Sequence, residues 1–279
     1  MKELPIAIQR SIRKYEKVIT TDGLTLYPVL VKEYEDFEIG RPALEVMHQS
    51  LPVAMMRLPL LAALFQMDFE AVRRGEAPNE LFARALVALV LSLRLGEGMD
   101  LQERIGLFRM ELDPQRPEKL LNLHYAEADG TEKTISASRF AELRRIIAAQ
   151  NGVTVESDEA NPEIVKAKKA IGATGPPLES SVDALISAVA ALSGATEAEI
   201  EEWPILMLQK RAEAYRRILE YLVCGMGEMS GASWKSGNPV PHPFFRRSQD
   251  GNDPTLLSSG GAKKQTTKQM EQIIQQAPM

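Results

Sequence analysis

The stretch from Leu178 to Phe245 decides the fold: LESSVDALISAVAALSGATEAEIEEWPILMLQKRAEAYRRILEYLVCGMGEMSGASWKSGNPVPHPFF. Apolar residues recur at intervals of three and four over residues 182–192, which is the period of a helix. Ser180 or Ser181 can cap the start of this helix, and Gly194 follows its end. The stretch therefore begins with an amphipathic helix.

Two further helices are predicted within the stretch. Thr196 and Glu199 have the spacing of a capping box. Pro204 either ends that short helix or opens the next one, because proline lacks the amide hydrogen that a first-turn position leaves unused. The next helix has roughly five turns and needs a surface to cover its apolar face. That face comprises Ile205, Leu208, Ala212, Tyr215, Leu219 and Leu222, and the charged face comprises Lys210, Arg211, Glu213, Arg216, Arg217 and Glu220.

An irregular segment closes the stretch. The glycines in Cys224-Gly-Met-Gly227 are expected to end the long helix, since they lack the lysine and hydroxyl residue of a phosphate-binding loop. Three prolines then follow Trp234, at positions 239, 241 and 243, and Phe244 and Phe245 come directly after them. Two interpretations stay open for these aromatic residues. They staple the closing segment to the helical layer, or with Trp203 they form a hot spot for a protein partner.

Three phrases, in this order along the chain, carry a resemblance to a known family. They are Leu26-Tyr-Pro-Val-Leu-Val-Lys-Glu-Tyr-Glu-Asp-Phe37, Phe140-Ala-Glu-Leu-Arg-Arg-Ile-Ile-Ala-Ala-Gln-Asn151, and the opening stretch with its Trp-x-x-x-Asn-Pro-x-Pro segment. They resemble tail assembly chaperones, which are encoded beside the tape-measure gene in phage and prophage tail clusters of Gram-positive bacteria. The resemblance covers most of residues 24–245 and rests on packing and turn residues.

Composition narrows the classes of function. A chain of 279 residues with 44% hydrophobic and 25% charged residues is typical of a globular protein. Its net charge of -5 argues against nucleic-acid binding, because the release of counterions from phosphates requires a basic face. The apolar run 51–69 is interrupted by two prolines and two charges, so no membrane span is expected. The single Cys224 suits a reducing cytoplasm, and no N-terminal signal is expected.

The chain before this stretch is predicted to mix helices with two small β elements. Asp22-Gly23 supplies the positive-φ positions of a tight primed turn, which predicts a hairpin within residues 17–31, after a short helix or an arm over Leu4 to Arg13. Residues 43–74 predict two or three short helices, with Pro42, Pro52 and Pro59 as starts or kinks, and Asn79 opens a clearer helix that closes at Gly96. Alternation then predicts strands over 104–112, 120–125 and 131–135. Ser136 is predicted to cap a helix that ends at Asn151-Gly152, and Asn161-Pro162 to open a basic helix.

These patterns predict a mainly α fold of the α+β class. Helical bundle-like layers carry a small N-terminal β-hairpin and a small inserted antiparallel meander. The predicted segments are 1–97 for the hairpin and first helices, 98–136 for the meander, 137–247 for the C-terminal helical region, and 248–279 for a disordered tail. The composition of that tail cannot bury enough apolar surface to offset chain entropy.

No group of residues suggests catalysis, a cofactor or a metal. His48, His124 and His242 lack metal-ligand spacing, and nothing in the sequence supplies a base for Cys224. We therefore expect neither an enzyme nor a bound cofactor or metal ion. Lys263-Lys264 is interpreted as a solubilising tail, with a ribosomal slippage site as the alternative.

The resemblance implies a chaperone that binds the helical tape-measure protein, and also suggests tail tube protein and self-association as partners. It implies residence in the host bacterial cytoplasm, with no nucleic-acid or membrane partner. The alternative is a structural component of the tail tube, baseplate or connector. The predicted partner-binding residues are Trp203, Leu208, Tyr215, Leu219, Trp234, Asn238, Pro239, Phe244 and Phe245.

Overall fold

A computed structural model describes residues 4–127, 129–155, 163 and 181–231 of the chain. The α-helices are α1 (Ile6–Arg13), α2 (Tyr34–Glu45), α3 (Leu60–Arg73), α4 (Leu81–Leu93), α5 (Leu101–Ile105), α6 (Phe140–Gln150), α7 (Val182–Ser193), α8 (Glu197–Glu201) and α9 (Ile205–Met229). The strands are β1 (Val18–Ile19), β2 (Thr25–Leu26), β3 (Arg109–Asp113), β4 (Arg116–Ala126) and β5 (Glu132–Ser136). Short 3-10 helices occupy Val31–Glu33, His48–Ser50 and Met55–Arg57. The mainly α prediction is confirmed.

Both β elements are antiparallel, as the sequence predicts. In the hairpin Val18 pairs with Leu26. Gly23 adopts the left-handed backbone (φ 79°) but Asp22 does not, so the turn is not the primed turn that the sequence predicts at Asp22-Gly23. The three strands β3, β4 and β5 lie in that order, so β4 is central. Its register sets Leu123 opposite Ile135, and both side chains are fully buried. The meander therefore buries one face against the rest of the protein.

Helix α4 forms the centre of the core. Ten of its thirteen residues are buried, because it is apolar on all sides and packs between other elements. Helix α2 approaches α4 closely at Gly40, where an added Cβ would lie 2.9 Å from the backbone nitrogen of Ala88. The sheet packs on α3 through β4. A single cluster of buried apolar residues runs from Val18 to Ile205, so the hairpin, the meander and the helices around them share one core.

The segment at residues 29–31, which leads into the first 3-10 helix, joins distant parts of the chain. The backbone N–H of Val29 donates to Asn151 Oδ1 at 2.9 Å, and the Val29 carbonyl accepts from the N–H of Ile205 at 3.0 Å. The N–H of Val31 donates to the carbonyl of Trp203 at 2.9 Å, and Leu30 forms an antiparallel bridge with Pro204. We call this arrangement the junction. Each of its bonds satisfies a backbone group that would otherwise cost free energy.

The structure corrects several sequence predictions. Ser136 ends β5 instead of capping α6, because the N–H of the following Ala137 donates to the Leu121 carbonyl and extends the sheet. Arg104 lies in α5 and not in the first strand. Pro42 lies inside α2, which begins at Tyr34. The predicted helix at Asn161-Pro162 and the tail 248–279 lie outside the described residues.

Two compact units divide the chain, Met1–Ala212 and Glu213–Met279, and the boundary falls within α9. The core and the junction belong to the first unit. The predicted boundaries at 97 and 136 remain predictions, although residues on both sides of each contribute to the shared core.

Candidate partner-binding surface

The start of α9 is held in the first unit by its neighbours in sequence. Thr196 and Glu199 form the predicted capping box at the start of α8, and α7 is capped by Ser181, whose hydroxyl accepts from the N–H of Ala184. Pro204 takes part in the junction bridge, and α9 begins at the next residue. Helix α9 is thus positioned by backbone bonds as well as by its apolar face.

Apolar residues along α9 follow an unbroken heptad repeat. The intervals alternate between three and four residues, the spacing of a helix that pairs in a left-handed coiled coil. The residues are Ile205, Leu208, Ala212, Tyr215, Leu219, Leu222, Met226 and Met229. One apolar seam therefore follows the whole sequence of the helix.

The two halves of this seam have opposite environments. Ile205 and Leu208 are buried in the first unit. In the second unit the seam is open: the exposed fractions are 49% for Leu219, 53% for Leu222, 66% for Met226 and 91% for Met229, and Val223 beside them is 66% exposed. We call these five residues the exposed stripe. Contiguous apolar exposure on this scale marks an interaction site more often than it marks ordinary surface.

Charged residues border the exposed stripe and pair along the helix. Arg217 donates to the carboxylate of Glu213, and Arg216 lies 3.6 Å from that of Glu220. Both pairs have the spacing of four residues that brings side chains together on a helix. Each of these charges is therefore matched within α9 itself, without a contribution from a partner.

The predicted partner-binding residues are divided by the structure. Leu219 belongs to the exposed stripe, and Tyr215 is half-buried one turn before it. Leu208 packs inside the first unit, so it is not available to a partner on the surface of this unit. Trp203 is half-buried, with the Arg211 guanidinium 5.6 Å from its ring, and its backbone belongs to the junction. Trp234, Asn238, Pro239, Phe244 and Phe245 lie outside the described residues.

Sequence reasoning missed the C-terminal part of the exposed stripe. The sequence predicts a helix end at Gly225 and Gly227, but α9 continues to Met229 and the left-handed glycine is Gly231 (φ 96°). Glycine tolerates helical backbone, so it does not end a helix by itself. The heptad spacing through Met226 and Met229 is the signal that finds these residues.

The structure describes His48, His124 and Cys224, whereas His242 lies outside the described residues. His124 on β4 contacts Glu111 at 2.9 Å and Thr134 at 3.0 Å on the exposed sheet face, and His48 lies in a 3-10 helix. Cys224 is half-buried on α9. Among the described residues, no three His, Cys, Asp or Glu side chains are grouped as a metal site requires. No helix in the described ranges combines the length and apolar character needed to cross a bilayer.

A cleft of about 750 Å³ in the first unit is a second candidate site. The Arg94 guanidinium in it lies 4.7 Å from the ring centre of Tyr27 and 3.6 Å from the Glu97 carboxylate. Its positive charge is therefore already matched. Burial raises the pKa of the Tyr125 phenol in the cleft wall, so this group is neutral at physiological pH and is not a base. The exposed stripe is the stronger candidate.

Comparison with protein-family models, with curated proteins and with solved structures found no match. The assignment of a function therefore rests on the surface of α9 and on the resemblance described above.

Proposed function

We propose that this chain is a non-enzymatic tail assembly chaperone that binds the tape-measure protein in the host bacterial cytoplasm. It would cover apolar helix faces of that protein until tail protein polymerises around it. The observation that supports the proposal is the exposed stripe, because a heptad seam recognises a helix that carries the same repeat.

The chemistry of the stripe suits a client with many similar helices. Met226 and Met229 have flexible, polarisable side chains that adapt to different partner surfaces. The nearest charges are already paired within α9, so they impose little selection by charge on the partner. Such a surface binds amphipathic helices by shape and apolar character, with tolerance of their sequence.

The choice of the tape-measure protein as client rests on the resemblance to tail assembly chaperones. Tail tube protein is a further proposed partner on the same ground. The proposal excludes nucleic acid and membranes as partners, in keeping with the charge and with the helices that the structure describes.

Co-expression of this chain with the neighbouring tape-measure protein tests the proposal. We expect the tape-measure protein to become soluble and to co-purify with wild-type chain and with Glu220→Gln, whose substitution is on the charged face. The double variant Leu219→Gln, Leu222→Gln should lose this effect, since it keeps helix-forming residues but removes apolar surface. A chain that ends at Arg247 reports whether the residues beyond it contribute.

Two results would contradict the chaperone proposal. The first is an insoluble tape-measure protein in the presence of wild-type chain. The second is equal solubility with wild type and the double variant, which would place binding elsewhere. A fixed copy number of this chain in purified tail particles would instead indicate a structural component of the tail, the alternative that the sequence leaves open.

A further inference from the structure

We infer that the exposed stripe pairs with the same stripe of a second copy of this chain, as an intermolecular coiled coil, when no other partner covers it. The inference goes beyond the proposed function, since it concerns the free protein and does not depend on which client the chain serves.

The heptad repeat of α9 gives the exposed stripe the spacing that two identical helices need to pair. Leu219, Leu222, Met226 and Met229 occupy successive seam positions over two heptads of α9. A helix with this repeat presents both the knobs and the holes that an identical helix needs. The exposed Val223 widens the seam on one side. The stripe is thus complementary to itself.

The segment that carries the exposed stripe has little net charge, so it does not strongly repel a second copy. The chain carries a net charge of -5, which would repel a second copy if it were spread evenly. The stretch 213–229, which carries the whole exposed stripe, contains three acidic and two basic residues, so its formal net charge is only -1, and within the helix Glu213 pairs with Arg217 and Glu220 with Arg216. The two copies would therefore meet through segments that each carry a net charge of only -1. Repulsion between the remaining charges is screened beyond about 8 Å at physiological salt.

The exposed stripe is small for a protein interface. A standard interface places roughly 20–30 residues on each side, whereas the exposed stripe supplies only five large apolar side chains. Pairing is therefore expected to be weak and to reverse on dilution. A reversible pair would protect the apolar surface in the free protein and yield it to a client helix.

Sedimentation of the full chain over a dilution series tests the inference. Wild-type chain and Glu220→Gln should shift from dimer to monomer together as the concentration falls. Leu222→Gln should weaken the dimer on the order of a hundredfold, because each dimer loses two leucines from its seam. Circular dichroism spectra check that each variant keeps its helix content.

Cys224 allows a direct measure of the contact. It is the only cysteine in the chain and lies on the side of α9 opposite the seam, so a spin label there reports the approach of two helices without occupying the stripe. Dipolar coupling between labels should appear at high concentration and disappear with Leu222→Gln.

Three results would overturn the inference: a wild-type chain that is monomeric at every concentration, a dimer that Leu222→Gln leaves intact, or a dimer without coupling between the labels. Solubilisation of the tape-measure protein by a strictly monomeric wild-type chain would overturn this inference and leave the proposed function standing. A dimer that Leu222→Gln weakens, formed by a chain that does not solubilise the tape-measure protein, would support this inference and contradict the proposed function.

Discussion

Asn151 is the residue on which the junction depends. Its side-chain oxygen accepts from the Val29 N–H at 2.9 Å, and its amide nitrogen donates to the Ile147 carbonyl at 2.8 Å, with the side chain fully buried. Asn151→Ala should lower the free energy of unfolding by about 1–3 kcal/mol, because it leaves the Val29 N–H buried without a partner. Urea denaturation measures the change.

Asn122→Ala is the matched control for this prediction. Its side chain also makes a hydrogen bond, to Glu111 at 2.6 Å, but on the exposed face of the sheet, where water replaces the lost partner. The expected loss is about 0.5 kcal/mol or less. Equal losses for the two variants would contradict the role assigned to the junction.

The pair of Asp22 and Arg139 makes part of the stability depend on pH. The Arg139 side chain donates to the Asp22 carboxylate at 3.1 Å, which lowers the pKa of that carboxyl below its ordinary value of 3.8, against the effect of burial. The contribution to stability is therefore complete above pH 3.8 and is lost as the pH falls through the lower pKa of the folded state.

Asp22→Asn should accordingly cost roughly 0.5–1 kcal/mol at neutral pH, since the pair is partly exposed. The difference from wild type should shrink as the solution is acidified below the ordinary pKa. Chemical denaturation at several pH values measures it. A difference that stays constant into strong acid would show that the carboxylate charge is not the cause.

At the scale of elements, the contact between α2 and α4 requires a residue without a side chain. Alanine normally stabilises a helix relative to glycine by about 0.5–1 kcal/mol. At Gly40 we expect the reverse, a loss of about 1–3 kcal/mol, because the added methyl group would meet the backbone of α4 at Ala88. Thermal unfolding followed by circular dichroism measures both the sign and the size.

Gly225→Ala is the corresponding change in open space, since an added methyl group on α9 would meet no atom of the described residues within 4 Å. There the ordinary gain of about 0.5–1 kcal/mol should apply to the helix. Helix content that rises with Gly225→Ala and stability that falls with Gly40→Ala would together confirm that the two glycines have different roles.

Elements whose signals are local could be predicted from the sequence. The hairpin around Gly23 and the capping box at Thr196 are decided by neighbouring residues, and both are confirmed, although the turn itself is not of the primed type. The sequence does not predict helix α5, because the alternation from Arg104 to Leu112 is typical of a strand. The local signal for the helix is Asp100, whose side chain caps it by accepting from the N–H of Gln102. Arg104 is buried in α5 and its charge is matched there by Glu33, at 3.0 Å. The two residues are distant in sequence, so no local pattern reveals this contact.

Only part of the candidate surface can be predicted from the sequence, because the period of a helix is a local signal and burial is not. The apolar face of α9 was visible from its spacing, including Leu219 and Leu222. Which half of that face is buried depends on the core of the first unit, which receives Leu208 and not Leu219. Burial of this kind is decided by tertiary packing and not by the period of the helix.

At the scale of the whole molecule, the buried core and the exposed stripe should differ in hydrogen exchange. Amides of α4 lie in the buried core, so we expect them to exchange only through global unfolding. Amides over residues 219–229 should exchange by local opening in dilute protein. Mass spectrometry of exchanged peptides measures both. The protection of the amides over residues 219–229 should rise with protein concentration if a second copy covers the stripe. Equal protection of these amides at all concentrations would contradict the pairing.

The junction also has a consequence for how the chain is made. The Val29 N–H bonds to Asn151 and the Val29 carbonyl bonds to Ile205. Both partners are far from Val29 in sequence. A chain emerging from the ribosome presents residue 29 early and residue 205 late. Contacts this distant in sequence form slowly, and the first unit cannot close until most of the protein has been translated. The exposed stripe is synthesised directly after that point, so it leaves the ribosome as the unit that anchors α9 becomes able to fold.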